Sequence, residues 1–306
     1  MLKKVLIPVF FLVLLQLVLM PQMAAAQGIK ISRDLEFAKI GDRSMLLDLY
    51  VPEGNDGPYP LIIWVYGGSW QSAQPPRKDC PPHMIGLTEE GYAAASISYR
   101  FSHEAPFPAQ IEDCKAAVRW LRAHAEEYNL DPDHFGAMGA SAGGHLVALL
   151  GTTADIKEFD VGDHLDQSSA VQAVCDYCGP TAFFVPAGKI PGMEGREEAI
   201  EGFLNNPQSP VAKLLGGTPY EKPELAKKAS PLFHVTEKSV PFLIVHGARD
   251  TLVPLQQSEL FYDALRRCGV DSHIFLVPNC DHVDMKMASP DYVKEILGFF
   301  DKYLKD

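Results

Sequence analysis

Gly139-Ala140-Ser141-Ala142-Gly143 constrains this chain more than any other five residues, because of what stands on either side of it. Upstream, Asp133-His134-Phe135-Gly136-Ala137-Met138 reads as a short buried strand. Downstream, Gly144-His145-Leu146-Val147-Ala148-Leu149-Leu150 reads as a helix. A serine on a sharp strand-to-helix turn has its hydroxyl lifted above the sheet, the arrangement of a nucleophile elbow, and flanking glycines permit the cramped backbone. By composition alone, G-x-S-x-G arises in roughly one chain in ten of this length. The strand–turn–helix setting carries the expectation, not the pentapeptide.

The rest of the chain alternates strand-like and helix-like runs. Extended segments at Ile31–Ala38 and Met45–Val51 flank Gly41-Asp42, a hairpin signal. Leu61–Tyr66 is continuously apolar, as a strand buried on both faces should be, and Tyr92–Ser98 is a further strand. Ile111, Cys114, Val118 and Leu121 recur at helical spacing, predicting a helix over Gln110–Tyr128. After the elbow come strand-like Val171–Cys175, Pro241–His246 and Ser272–Val277, with helices over about 255–268 and 290–304. This order predicts an α/β fold, a mostly parallel twisted sheet with helices on both faces. Only Gly179–Pro231 breaks the rhythm. It is rich in proline and glycine and joins two sheet strands, where long insertions form lids or specificity loops. The competing reading of 179–231 is a surface excursion without function.

Lys3 and Lys4 precede an apolar run from Val5 to Met20, and Ala24-Ala25-Ala26 offers a cleavage site before Gln27. Residues 1–26 therefore read as a secretory signal peptide, which makes the product secreted or periplasmic. An uncleaved anchor helix is the alternative, and Pro8, Pro21 and the small residues argue against it. Residues 27–306 suit a single large domain, with no linker dividing them. The formal net charge of −12 argues against nucleic acid or an anionic membrane surface as partner, and no later run suggests stable membrane insertion. Six cysteines in an exported chain allow disulfides, with Cys80–Cys114 the pairing to test first. Cys175 and Cys178 have C-x-x-C spacing but no second ligand pair in sequence, so no metal is expected.

A serine hydroxyl needs a base, and the base needs an orienting carboxylate. Leu243–Val245 runs into His246-Gly247-Ala248-Arg249-Asp250, offering Asp250 at the carboxyl end of a strand. Phe275-Leu276-Val277-Pro278-Asn279-Cys280-Asp281 does the same for His282. The order Ser141…Asp250…His282 matches a nucleophile elbow with its partners on later strands. Asp176 is the competitor for the acid. His246 and His145 read as packing or hydrogen-bonding histidines, and Asp281 and Asp284 sit too close to His282 in sequence to orient it. Tyr66-Gly67-Gly68-Ser69-Trp70 ends an early central strand, so the Gly67, Gly68 and Ser69 amides join that of Ala142 as candidate oxyanion donors. Trp70, Tyr177, Phe183 and Phe184 could line a pocket or simply pack.

Further segments add to these: Ser98-Tyr99-Arg100, Ala105-Pro106-Phe107-Pro108-Ala109, Ile111–Leu121 with its Glu112-Asp113 pair, the elbow extended to Gly144-His145-Leu146, and Val253-Pro254 after the acid. Together they resemble the α/β-hydrolase superfamily, in particular the esterase/lipase group that includes hormone-sensitive-lipase-like and acetyl-xylan/feruloyl esterase-like (BD-FAE-like) enzymes. The resemblance implies an α/β-hydrolase fold and a serine esterase needing no cofactor and no metal. Its implied substrates are carboxylic esters, acetyl or short acyl, of small molecules or carbohydrates. It also implies Ser141 as nucleophile, His282 as base and Asp250 as acid. Tyr66 departs from the histidine usual in this group. A tyrosine there is similar to prolyl-oligopeptidase-type peptidases, which keeps a peptidase open, as does fold alone a catalytically inactive binding module.

Overall fold

The computed structural model describes residues 28–54, 57–74, 76–78, 82–183, 206–284 and 289–305. The expected leader, Cys80, Phe184 and the middle of the 179–231 insertion lie outside the described residues. An eight-stranded sheet runs β1 (Ile29–Ile40), β2 (Arg43–Pro52), β4 (Ala93–Ile97), β3 (Tyr59–Val65), β5 (Leu130–Ala140), β6 (Ala173–Tyr177), β7 (Phe242–Gly247), β8 (Ser272–Val277) across its width. β1 and β2 form an antiparallel hairpin and β2 pairs antiparallel with β4; every pairing from β4 onward is parallel.

Both faces of the sheet are covered, and the side-chain alternation of each strand shows how. Leu61, Ile63 and Val65 of β3 point into one core, and Ile62 and Trp64 into the other. The first core receives α2 (Ala109–Ala123) through Ile111, Cys114, Val118 and Leu121, together with α3 (Ala142–Thr152) and α6 (Gln256–Arg267). The second receives Leu87 of α1 (Pro82–Glu89) and Ile296, Phe299, Phe300 and Leu304 of α7 (Pro290–Leu304). Truncating a fully buried strand residue such as Ile63 to alanine would cost about 2–5 kcal/mol.

Local differences from the sequence expectation have physical reasons. The segment 206–231 is more regular than its proline content suggests, forming α4 (Pro210–Leu215) and α5 (Pro223–Lys228). α4 is capped at both ends: the Ser209 hydroxyl accepts from the Ala212 amide, Pro210 opens the first turn, and Gly216 closes it at φ 67°. Cys114 does not bridge to Cys80. It is a buried free thiol, one of the apolar positions that seat α2. Among the described residues, no helix is long and apolar enough to cross a membrane.

The chain leaves β3 toward β4 on one side and reaches β5 on the other. A crevice therefore opens outside the carboxyl ends of β3 and β5, where parallel α/β sheets bind their ligands.

Candidate active site

Ser141 sits between β5 and α3 with φ 56° and ψ −118°. A non-glycine residue there stores on the order of 1–3 kcal/mol of strain, so its surroundings must hold it. Its amide donates to the Tyr177 carbonyl at 2.7 Å, and its carbonyl accepts from the His145 amide at 3.0 Å. Gly143 permits the approach of α3 to β3: a Cβ there would stand 2.0 Å from the Val65 carbonyl oxygen. The stitching continues past the neighbouring strand ends, with the Cys178 amide on the Val245 carbonyl at 2.9 Å and the Ala248 amide on the Val277 carbonyl at 3.0 Å.

After β3 the chain recoils through three left-handed residues, Gly68 (φ 112°), Ser69 (φ 56°) and Trp70 (φ 57°). Gly68 cannot be replaced without displacing the loop, because a Cβ there would lie 2.1 Å from the Ser72 carbonyl oxygen. The Gln71 and Ser72 amides both donate to the Gly68 carbonyl, closing the turn. A Cβ built on Gly67 would fall 3.2 Å from the Ser141 Cβ, so this loop lies directly against the elbow. The Ala142 amide, first in α3, has no intrahelical acceptor. Gly67 thus lies against Ser141, Gly68 and Ser69 follow it in the same loop, and Ala142 is the next residue after the serine.

A hydrogen-bond chain fixes this loop to the elbow helix. Trp70 Nε1–H donates to His145 Nδ1 at 3.2 Å, and His145 Nε2–H donates to the Ala229 carbonyl at 2.7 Å. Burial pushes the His145 pKa down to about 4, only partly countered by the Ala229 bond, so the ring is neutral with its proton on Nε2. Phe183 packs edge-on against Trp70, with ring centres 5.8 Å apart. Trp70, Tyr177 and Phe183 are all buried, so they pack the site rather than face solvent. Tyr66 is buried too: its hydroxyl accepts from the Tyr99 amide, its ring stacks on that of Tyr99, and burial raises its pKa to about 12. Its phenol belongs to the core.

On the other side, His282 Nδ1–H donates to Asp250 Oδ2 at 2.7 Å. The same oxygen lies 3.2 Å from Nε2 of the fully buried His246, whose Nδ1 accepts from the Ser258 hydroxyl at 2.7 Å. Asp250 Oδ1 accepts from the Leu252 and Val253 amides, both at 2.8 Å. Burial by itself would raise the Asp250 pKa, but the bonds from His246, His282 and the Val253 amide hold it well below the usual carboxylate range. Asp250 is thus ionised and orients the His282 ring. With Nδ1–H committed to Asp250, Nε2 of His282 carries a bare lone pair; it is buried and has no hydrogen-bond partner among the described residues. A general base needs such a free ring nitrogen and also reach to the proton it takes, and Ser141 makes no hydrogen bond to this nitrogen here.

Asp176, the competing acid, lies one strand away from this pair. Its Oδ1 accepts from the Gly179 amide at 2.9 Å, and burial raises its pKa to about 7. Asp281 has a role the sequence did not announce: its Oδ1 accepts from the amides of both Thr251 (2.9 Å) and His282 (2.7 Å), tying the turn after β7 to the loop after β8. Cys178 Sγ, a His246 ring nitrogen and an Asp250 carboxylate oxygen lie within 4.8 Å of one another.

Comparison with known proteins bears on this geometry. A family model described as BD-FAE matches residues 47–265. Esterase LipQ of Mycobacterium tuberculosis is 32% identical over 245 residues, covering 79% of this chain and 55% of LipQ. The chain spans about half the length of the curated relatives it matches, LipQ, LipM and LipC among them. The structure of a truncated form of carbohydrate esterase from gut microbiota superimposes with a TM-score of 0.80 at 29% identity, covering 92% of this chain and 98% of that one. A bifunctional GH43-CE protein of Bacteroides eggerthii gives 0.77 at 30% identity, over 89% of this chain and 35% of that one.

Proposed function

The chain belongs to the BD-FAE family, and we propose that it is a serine esterase acting on acetyl or other short acyl esters, with acylated carbohydrates as the substrate class. The observation that carries the reading is the ionised Asp250 holding His282 at 2.7 Å with Nε2 bare, in a fold whose Ser141 stands on a strained elbow. The carbohydrate class rests on the likeness to the carbohydrate esterase from gut microbiota, which covers 92% of this chain.

In this mechanism Ser141 Oγ attacks the ester carbonyl carbon while His282 Nε2 takes its proton. Asp250 stabilises the imidazolium without accepting that proton. The tetrahedral oxyanion is met by amides from Gly67, Gly68, Ser69 and Ala142, each such donor being worth about 10²–10³ in kcat. His282 then protonates the departing alcohol. Water, activated by the same nitrogen, releases the acid from the acyl-enzyme. The insertion over 179–231 shapes the pocket: Phe183 packs on Trp70, and Lys213 Nζ reaches Gln71 Oε1 at 3.3 Å, so its described ends adjoin the oxyanion loop. Residues 1–26 act as an export leader for the single domain that follows.

The test is hydrolysis of a chromogenic acetyl ester and acetate release from acetylated xylan, by wild type and Ser141→Ala. Turnover abolished by the substitution supports the reading. Equal release by both proteins refutes the serine mechanism, and inactivity of wild type on every ester would favour a binding module.

A further inference from the structure

We propose that Cys178, His246 and Asp250 form a binding site for a soft divalent cation, zinc or cadmium, and that an ion held there switches the esterase off by taking Asp250 from His282. The proposal rests on the esterase reading above for its consequence, though not for the binding itself.

The sequence offered no zinc site, because Cys175 and Cys178 lack a second ligand pair along the chain. The fold supplies different partners. Cys178 follows β6, and His246 and Asp250 come from β7 and the turn beyond it. Thiol, imidazole and carboxylate donors all lie within 4.8 Å of one another, and His246 Nε2 is 3.2 Å from Asp250 Oδ2. A tetrahedral zinc with bonds of about 2.0–2.3 Å sets its donors roughly 3.3–3.8 Å apart. The three groups need close by only about 1 Å or less, leaving the fourth position to water, as at an open zinc site.

Charge and protons balance. A thiolate and a carboxylate neutralise a divalent ion, which matters because the His246 and Asp250 side chains are fully buried. Binding releases the Cys178 thiol proton to solvent. The His246 proton moves from Nε2 to Nδ1, where the Ser258 hydroxyl, 2.7 Å away, turns from donor to acceptor. One proton leaves per ion bound. The Gly247 and Val283 amides hydrogen-bond the Cys178 sulfur and favour its thiolate, although burial dominates and holds the free thiol at about 12. Cys178 also has a left-handed backbone, φ 51°, a strained conformation for a residue with no part in ester hydrolysis.

The consequence for catalysis follows from one atom. Asp250 Oδ2 is the oxygen that accepts from His282 Nδ1 at 2.7 Å, and a cation bound to it competes for that lone pair. Removing the orienting carboxylate from a triad lowers kcat by up to about 10⁴. Because the Asp250 side chain is fully buried and His282 beside it is only 15% exposed, the ion can reach the site only as the structure opens, and inhibition should develop with time.

The test uses the full chain freed of metal by a chelator. Equilibrium dialysis against zinc, and titration with cobalt(II) followed by the thiolate-to-cobalt charge-transfer band, read binding independently of activity. Chromogenic ester hydrolysis after incubation with zinc reads inhibition. We expect one ion per chain, a charge-transfer band, and at least tenfold inhibition reversed by chelator. Cys178→Ser and Cys178→Ala should keep uninhibited activity while losing the band and at least tenfold of the zinc sensitivity. Wild type that binds no ion, or variants inhibited like wild type, would overturn the site. Metal binding at Cys178 in a chain without ester hydrolysis would leave the site standing and refute the esterase reading instead.

Discussion

His145 ties the Gly67–Trp70 loop to helix α3, and its buried neutral ring makes that tie sensitive to acid. In the fold its pKa is about 4, against about 6.5 in the unfolded chain. A histidine whose folded pKa is depressed contributes full stability above 6.5, and the contribution is lost as pH falls toward 4, because the unfolded chain takes up the proton first. The full loss is about 3 kcal/mol, and by pH 5 about 2 kcal/mol of it is already gone. The charged ring would also present a proton at Nδ1 to the Trp70 N–H that now donates there, breaking the 3.2 Å bond. The perturbation to compare is His145→Gln, which does not titrate. Urea unfolding of both proteins at pH 7.5 and pH 5.0 should show the wild-type advantage shrinking by about 2 kcal/mol at the lower pH. The difference between proteins is the observable, since other buried groups titrate in both. A wild-type advantage constant within about 0.5 kcal/mol would refute the assignment of His145 as a buried neutral ring.

Asp176 should act with the opposite sign. Its folded pKa of about 7 is raised, so its contribution is complete below about 4 and lost as pH rises toward 7; Asp176→Asn should therefore gain on wild type by about 2 kcal/mol between pH 5.0 and pH 7.5 in the same unfolding series. Ser141→Ala should lower kcat by about 10⁴–10⁶ with an unchanged melting temperature, and Asp250→Asn by about 10⁴, both read with the chromogenic ester. His246→Phe removes one of the donors on Asp250 Oδ2 and should reduce kcat at least tenfold with little change in KM, whereas a pure packing role would alter stability alone. Shortening the insertion between residues 184 and 205 should change the preferred acyl or alcohol group more than the melting temperature, measured across an ester series.

Much of this arrangement was legible because short-range patterns encode it. Val65-Tyr66-Gly67-Gly68 and Met138-Gly139-Ala140-Ser141 each join a buried strand to glycine, and such junctions fall where the sheet offers its carboxyl ends. Helix α1 was not legible, since Pro82–Glu89 has no apolar stripe of its own in sequence, and among its described side chains it is Leu87 that joins the core. Nor were the contacts of Asp250 with His246 and of Asp281 with Thr251. The first depends on how the turn after β7 folds back on the end of its own strand, the second on how two turns meet, and a polar residue in a turn reads alike whether it is solvated or bonded across a gap. His145 was read as a satisfied histidine, but its partners, 75 residues before it and 84 after it, have no local signature.

The backbone bonds that run past the ends of β5, β6 and β7 have an evolutionary corollary. Ser141 on Tyr177, Cys178 on Val245 and Ala248 on Val277 are joined by peptide groups alone, so this part of the frame does not depend on which side chains those residues carry. Mutations in the crossover between β6 and β7 can accumulate without undoing that backbone frame, provided Phe183 still packs on Trp70 and the Ala229 carbonyl still meets His145. If that excursion borders the pocket as proposed, a lineage founded on this frame can change what it takes up there while the strand ends beneath are inherited unchanged.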